Sequence, residues 1–175
     1  MSIETEFLKS VIIRFKESKI LGEKTFAQLT DEEMLRKPNE ASNSIAIIIQ
    51  HMHGNMLSRW TNFLTEDGEK EWRKRDAEFE PRSLSKEQLV KLWDEGWKVF
   101  LDTLESITEK HLLKTVTIRT QSLIVIDAIN RQLAHYSYHV GQIVYLGRWM
   151  KEGEWQSLSI PKGNSQSYNE QMKKV

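Results

Sequence analysis

The chain has 175 residues, 25 basic and 25 acidic side chains, and no cysteine. The length suits one domain with a sizeable core, and the balanced charge offers no field for a polyanion, so nucleic-acid binding is not expected. Without cysteine there is no disulfide framework, thiolate metal ligand or cysteine nucleophile, and any thiol chemistry needs a thiol from a second molecule.

The opening residues Met1-Ser2-Ile3-Glu4-Thr5-Glu6 lack the basic-then-apolar pattern of a secretory signal. The longest uninterrupted apolar run, residues 45–49, is far short of a membrane span. A soluble, cytoplasmic protein with no membrane contact is expected.

Taken in order, residues 2–29 carry Ile3, Phe7, Val11, Phe15 and Phe26 at helical spacing among lysines and glutamates. Thr30-Asp31-Glu32-Glu33 is a capping-box pattern that opens a short helix, stopped by Pro38. Asn43 or Ser44 caps a second long helix over residues 45–64, with Ile45, Ile48, Ile49, Met52, Met56 and Trp60 as its buried stripe. Gly54 interrupts that helix, which fits either close helix packing or room for a ligand beside His51.

Residues 65–82 are polar and highly charged, which reads as a solvated connection. Trp72 and Phe79 are expected to pin it to the body, and a loop of this length can form a pocket wall. Ser85-Lys86-Glu87-Gln88 is another capping box, opening a third long helix to about residue 107. Residues 115–120 alternate and are rich in β-branched side chains, and are expected to form a single extended connection. Ser122 is expected to cap a fourth helix over residues 123–151, apolar for most of its circumference and so central or at a subunit interface. The expected fold is all-α, an antiparallel four-helix bundle over residues 1–153, with 154–175 as a surface tail tacked down by Trp155 and Leu158.

Two histidines of the fourth helix, His135 and His139, are four residues apart and share one face. In an apolar helix an imidazole costs free energy unless its nitrogens are paired, which favours a metal pair over an accident of spacing. A third ligand can come from His51 or His53 on a neighbouring helix. These two lie on different sides of it and cannot easily share one ion, and spacing leaves the choice open. His111, near a helix end, is given no chemical role.

Asn43-Ser44-Ile45 leading into His51, with His135-Tyr136-Ser137-Tyr138-His139-Val140-Gly141-Gln142 downstream, resembles the DinB superfamily of four-helix metalloproteins, of DinB/YfiT-like fold. Residues 54–65 resemble an uncharacterised, DUF1572-like branch of it. The resemblance implies one ligand on the second long helix and two on the fourth, which maps onto His51, His135 and His139 and sets His53 aside. It also implies a dimer, in keeping with the apolar fourth helix.

Three histidines leave a divalent ion, zinc by default or nickel, with an open position. Relatives in the superfamily include transferases and isomerases that use bacillithiol, mycothiol or glutathione, so the leading expectation is metal-dependent S-transfer from such a thiol to a small electrophile. Asn55 and Gln142 are expected near the metal as supporting or substrate-contacting residues. Hydrolysis by an activated water is the alternative, although no general base is evident and Asp127 lies two turns before His135. A non-enzymatic, metal-stabilised dimeric bundle is the third reading.

Overall fold

The computed structural model describes residues 2–173, which are mostly helical. Each of the first helices starts where a side chain can take an otherwise unpaired backbone N–H. Helix α1 (Ile3–Phe26) is capped by Ser2, which accepts from the Thr5 N–H at 3.1 Å. Helix α2 (Asp31–Leu35) has the reciprocal Thr30/Glu33 capping box. Ser44, not Asn43, caps α3 (Ile45–Trp60), and the Ser85/Gln88 box opens α4 (Lys86–Ser106). Two further helices, α5 (Val125–Lys151) and α6 (Ser165–Met172), complete the set, with α6 lying exposed in the tail.

The four long helices share one core. Helix α3 packs chiefly on α4 and α1 on α5, and contacts of α1 with α4 and of α3 with α5 join the pairs. Aromatic rings from all four meet at its centre in the edge-to-face arrangement their quadrupoles favour. Phe15 and Phe100 lie 4.5 Å apart, Phe100 and Tyr136 5.2 Å, and Trp60 and Phe100 4.6 Å. The backbones come close where a side chain is missing: a methyl at Gly147 would meet Thr25 at 2.6 Å.

Several expectations need correction. Residues 115–124 are not a lone extended connection but an antiparallel hairpin of β1 (Thr115–Ile118) and β2 (Gln121–Ile124). Its two-residue turn, Arg119-Thr120, has positive φ at both positions, 55° and 64°. Such a turn normally calls for Asn-Gly or Asp-Gly, so the sequence carries no turn signal there. Consequently Ser122 lies in β2 and caps nothing; α5 begins at Val125, after Ile124 and without a side-chain cap.

Helix α5 is less enclosed than its apolar circumference suggests, with Tyr138, Tyr145 and Trp149 exposed, and α3 is the more buried of the two. The charged connection is also less solvated than its composition suggests. Trp72 is exposed and pins nothing, whereas Lys70 and the side chain of Arg73 are buried. Ser58 holds this segment to α3 by donating to the Gly68 carbonyl at 2.7 Å. The tail is tied to the end of α1 next to Trp155, where Gln28 exchanges two hydrogen bonds with the Gln156 backbone. No described helix is long and apolar enough to cross a membrane.

Candidate metal centre

His51 lies in the middle of α3, and His135 and His139 one turn apart on α5, where α3 and α5 pack together. Each offers one ring nitrogen such that all three nitrogens lie within 4.8 Å of one another. The His135 and His139 Nε2 atoms are 3.0 Å apart, and the His51 ring centroid is 5.0 Å from that of His139. Nitrogens on a tetrahedral zinc, each at about 2.1 Å, are about 3.4 Å apart, which compares with a widest separation of up to 4.8 Å here.

What surrounds the rings decides which nitrogens are free. His51 Nδ1 is 2.9 Å from Glu78 Oε2, in the short 3₁₀ turn Asp76–Phe79. Burial raises the Glu78 pKa, but hydrogen bonds from His51 and Arg73 outweigh it and hold the carboxyl below its ordinary range. Glu78 is therefore an anion that only accepts, which places a His51 proton on Nδ1, so that Nε2 is the nitrogen a metal would take from this ring. His139 Nδ1 donates to Gln142 Oε1 at 2.9 Å, with the same result.

At His135 the partner is Gln132, whose Nε2 stands 3.0 Å from Nδ1. As oriented, this amide donates, placing the His135 proton on Nε2, where it can bridge to His139. Gln132 Nε2 and the Tyr136 hydroxyl both donate to Asn55 Oδ1, each at 3.2 Å. Turning over the Gln132 and Asn55 amides together preserves the heavy-atom positions and presents an oxygen to His135 Nδ1, freeing Nε2. The three Nδ1 atoms are then all engaged, as histidine metal ligands require.

Charge points the same way. Burial, then the neighbouring His139 and His51, pushes His135 down to about 3. Burial likewise pushes His139 down to about 4, against the opposing bond to Gln142. Both rings are neutral at pH 7, so each keeps one nitrogen lone pair that a cation could take. A neutral, soft-edged donor set with its outer nitrogens anchored fits a divalent transition ion.

Residues 2–164 match the family described as "Protein of unknown function (DUF1572)". The chain belongs to that family. No curated protein matches it. The match covers the four long helices and the hairpin of this DUF1572 member, and all three histidines lie within it.

His53 stands apart from the cluster, with Nε2 3.5 Å from Glu95 on α4. His111 accepts from the Thr108 N–H at 3.0 Å, closing a local turn. Of the two expected supporting residues in this DUF1572 chain, Gln142 touches a histidine directly, and Asn55 acts at one remove through Gln132. Glu78 and Gln132 are the residues that sequence reasoning missed. Gln132, three residues before His135, carried a spacing signal; Glu78, on a separate turn, carried none.

Gly54 takes on a definite purpose: a Cβ there would collide with the Glu78 carboxylate, so the missing side chain makes room for the partner of His51. Phe79 stacks on the His51 ring at 4.8 Å, fixing its plane. Beside the cluster a cavity of about 200 Å³ is lined by His51, His135, Asn55, Gln132 and the five arginines 59, 73, 75, 119 and 131.

Proposed function

We propose that this is a divalent-metal protein of the DinB type, its long helices forming an antiparallel four-helix bundle in which His51, His135 and His139 hold the ion. Zinc is the default and nickel is also compatible with imidazole. The observation that carries this reading is the triangle of three nitrogens whose opposite ring nitrogens are all engaged. Closed structural zinc sites normally use four protein ligands, so three leave a position for substrate.

The activity in this reading is S-transfer from a low-molecular-weight thiol of the bacillithiol, mycothiol or glutathione kind to a small electrophile. A bound divalent ion supplies a positive centre that favours thiolate over thiol. The chain has no cysteine, so the thiol is a second substrate. The guanidiniums around the cavity favour an anionic sulfur by the same electrostatics.

Hydrolysis is less well supported. It needs a general base at the site, and none of the described residues lining the cavity is a carboxylate. Glu78 is near, but His51 and Arg73 already occupy it. The exposed Tyr138, Tyr145 and Trp149 on α5 support association of two copies through that helix.

Elemental analysis tests the metal: the purified protein should carry about one equivalent and His135→Ala almost none, since three ligands are the fewest that hold such a site. Equal metal in both would refute the site. The activity is tested by offering candidate thiols with an electrophilic substrate, where thiol consumption should depend on metal. Thiol-independent hydrolysis of an ester would favour the alternative instead.

A further inference from the structure

We propose that the cavity beside the histidines is an anion-binding subsite that takes a phosphate or carboxylate group, with Arg59 and Arg131 as its principal contacts. Five of the nine residues lining it are arginines, brought together from α3, the 65–82 segment, the hairpin turn and α5. A chain of zero net charge gathers them at one small cavity.

The carboxylates present do not neutralise this cluster. Glu69 is shared among Arg59 at 3.1 Å, Arg119 at 3.0 Å and Arg73 at 3.8 Å. Glu78 is committed to Arg73 through two hydrogen bonds of 2.7 and 2.9 Å, and to His51. Asp76 reaches Arg75 only at 3.9 Å and from full solvent exposure, where such a pair contributes little. Five guanidiniums against Glu69 and Glu78 leave three positive charges in excess.

Two of the five have capacity to spare. The side chain of Arg59 is only 8% exposed, and its Nη1 is buried without a hydrogen-bond partner among the described residues. A buried guanidinium nitrogen left unpaired costs free energy, so Glu69 alone does not satisfy Arg59. Arg131, one turn before His135, is exposed and has no ion-pair partner among the described residues. Burial chiefly, and then the like charges of Arg73, Arg119 and Arg131, lower the Arg59 pKa against the opposing pull of Glu69.

The cavity is below the usual size for a whole ligand of several hundred Å³, and suits a charged group that anchors one end of a molecule. Planar guanidiniums match phosphate and carboxylate oxygens in pairs. That the rest of the molecule then reaches the histidines rests on the metal reading above; the anion site itself does not.

Isothermal titration of chelator-treated protein at low ionic strength, with inorganic phosphate and with succinate as probes, tests the subsite. Saturable binding of at least one probe is expected, and the one bound more tightly identifies the chemistry. Arg131→Ala, which removes an exposed side chain without a hydrogen bond or ion pair among the described residues, should weaken it about fivefold, the size of one charged contact at a partly open site. Arg59→Met should abolish it, with circular dichroism confirming that the fold is retained. No saturable binding of either probe, or binding unchanged in Arg131→Ala and in folded Arg59→Met, would overturn the proposal. His135→Ala should lose metal but keep the probe, and a wild type that binds phosphate yet no metal would leave the subsite standing and remove the metal reading.

Discussion

Glu78 serves two neighbours with one carboxylate. It accepts from His51 Nδ1, which aims the ring, and it pairs with Arg73, whose side chain is 2% exposed. Glu78→Gln keeps an acceptor for His51 but removes the charge that both partners rely on. We expect metal affinity to fall about tenfold to a hundredfold, the usual effect of losing such an anchoring partner. Stability should fall by about 1–3 kcal/mol, because Arg73 is left buried with only Glu69 at 3.8 Å. Chelator competition and urea denaturation read the two effects separately. Gly54→Ala should give a similar loss of affinity from the other side of the contact, since its methyl displaces the same carboxylate. At this scale His135 and His139 were legible in the sequence because a helix turns their spacing directly into proximity. His51 needed the resemblance to separate it from His53. Glu78 was not legible, since its place depends on how the 65–82 segment returns to α3.

Among the elements, the hairpin shows how a strained turn is held. Thr120 sits at φ 64° and is β-branched, an uncommon combination outside glycine and asparagine. Asp67 compensates: its carboxylate accepts from the Arg119 N–H at 2.9 Å and the Thr120 N–H at 2.8 Å, and Gly68 N–H donates to the Thr117 carbonyl. The turn thereby carries Arg119 to the cavity. Thr120→Gly relieves the strain and should stabilise the protein by about 0.5–1 kcal/mol, a net of lost strain against lost chain entropy; thermal melting measures it. The Asp67 pKa is lowered by the Glu69 backbone N–H first, then by those of Thr120 and Arg119, against slight burial. A depressed carboxylate stabilises above its ordinary value of 3.8, and that contribution is lost as pH falls through the still lower folded value. The Arg119 and Thr120 amide resonances should therefore hold their positions down to about pH 4 and move together on further acidification. The capped helices were readable because a cap is a local pattern of a few residues. The hairpin was not, because Arg-Thr supplies none of the usual turn chemistry and its support comes from Asp67, far away in the chain.

For the whole molecule, the same contrast separates charge balance from charge placement. Composition gives zero net charge, but it cannot show that four separate segments deliver arginines to one cavity. Helical periodicity likewise marks which faces are apolar without giving the distances at which they meet. Gly22 is the clearest case of the latter. A Cβ there would overlap the Trp93 ring of α4, which is 2% exposed and held edge-on by Phe26 at 5.1 Å and beside Trp97 at 5.4 Å. Judged as an isolated helix residue, Gly22→Ala should stabilise α1 by about 1 kcal/mol. In the packed core the methyl must separate α1 from α4 or tilt a ring that has no room to move, which costs about 1–3 kcal/mol. Overpacking should prevail, lowering the melting temperature by about 2–6 °C for a domain of this size. No α1 residue is among the three histidines or the cavity lining, so metal content should be unchanged. A rise in melting temperature would mean that the α1–α4 contact is looser than the structure has it, and that propensity outweighs packing at this crossing.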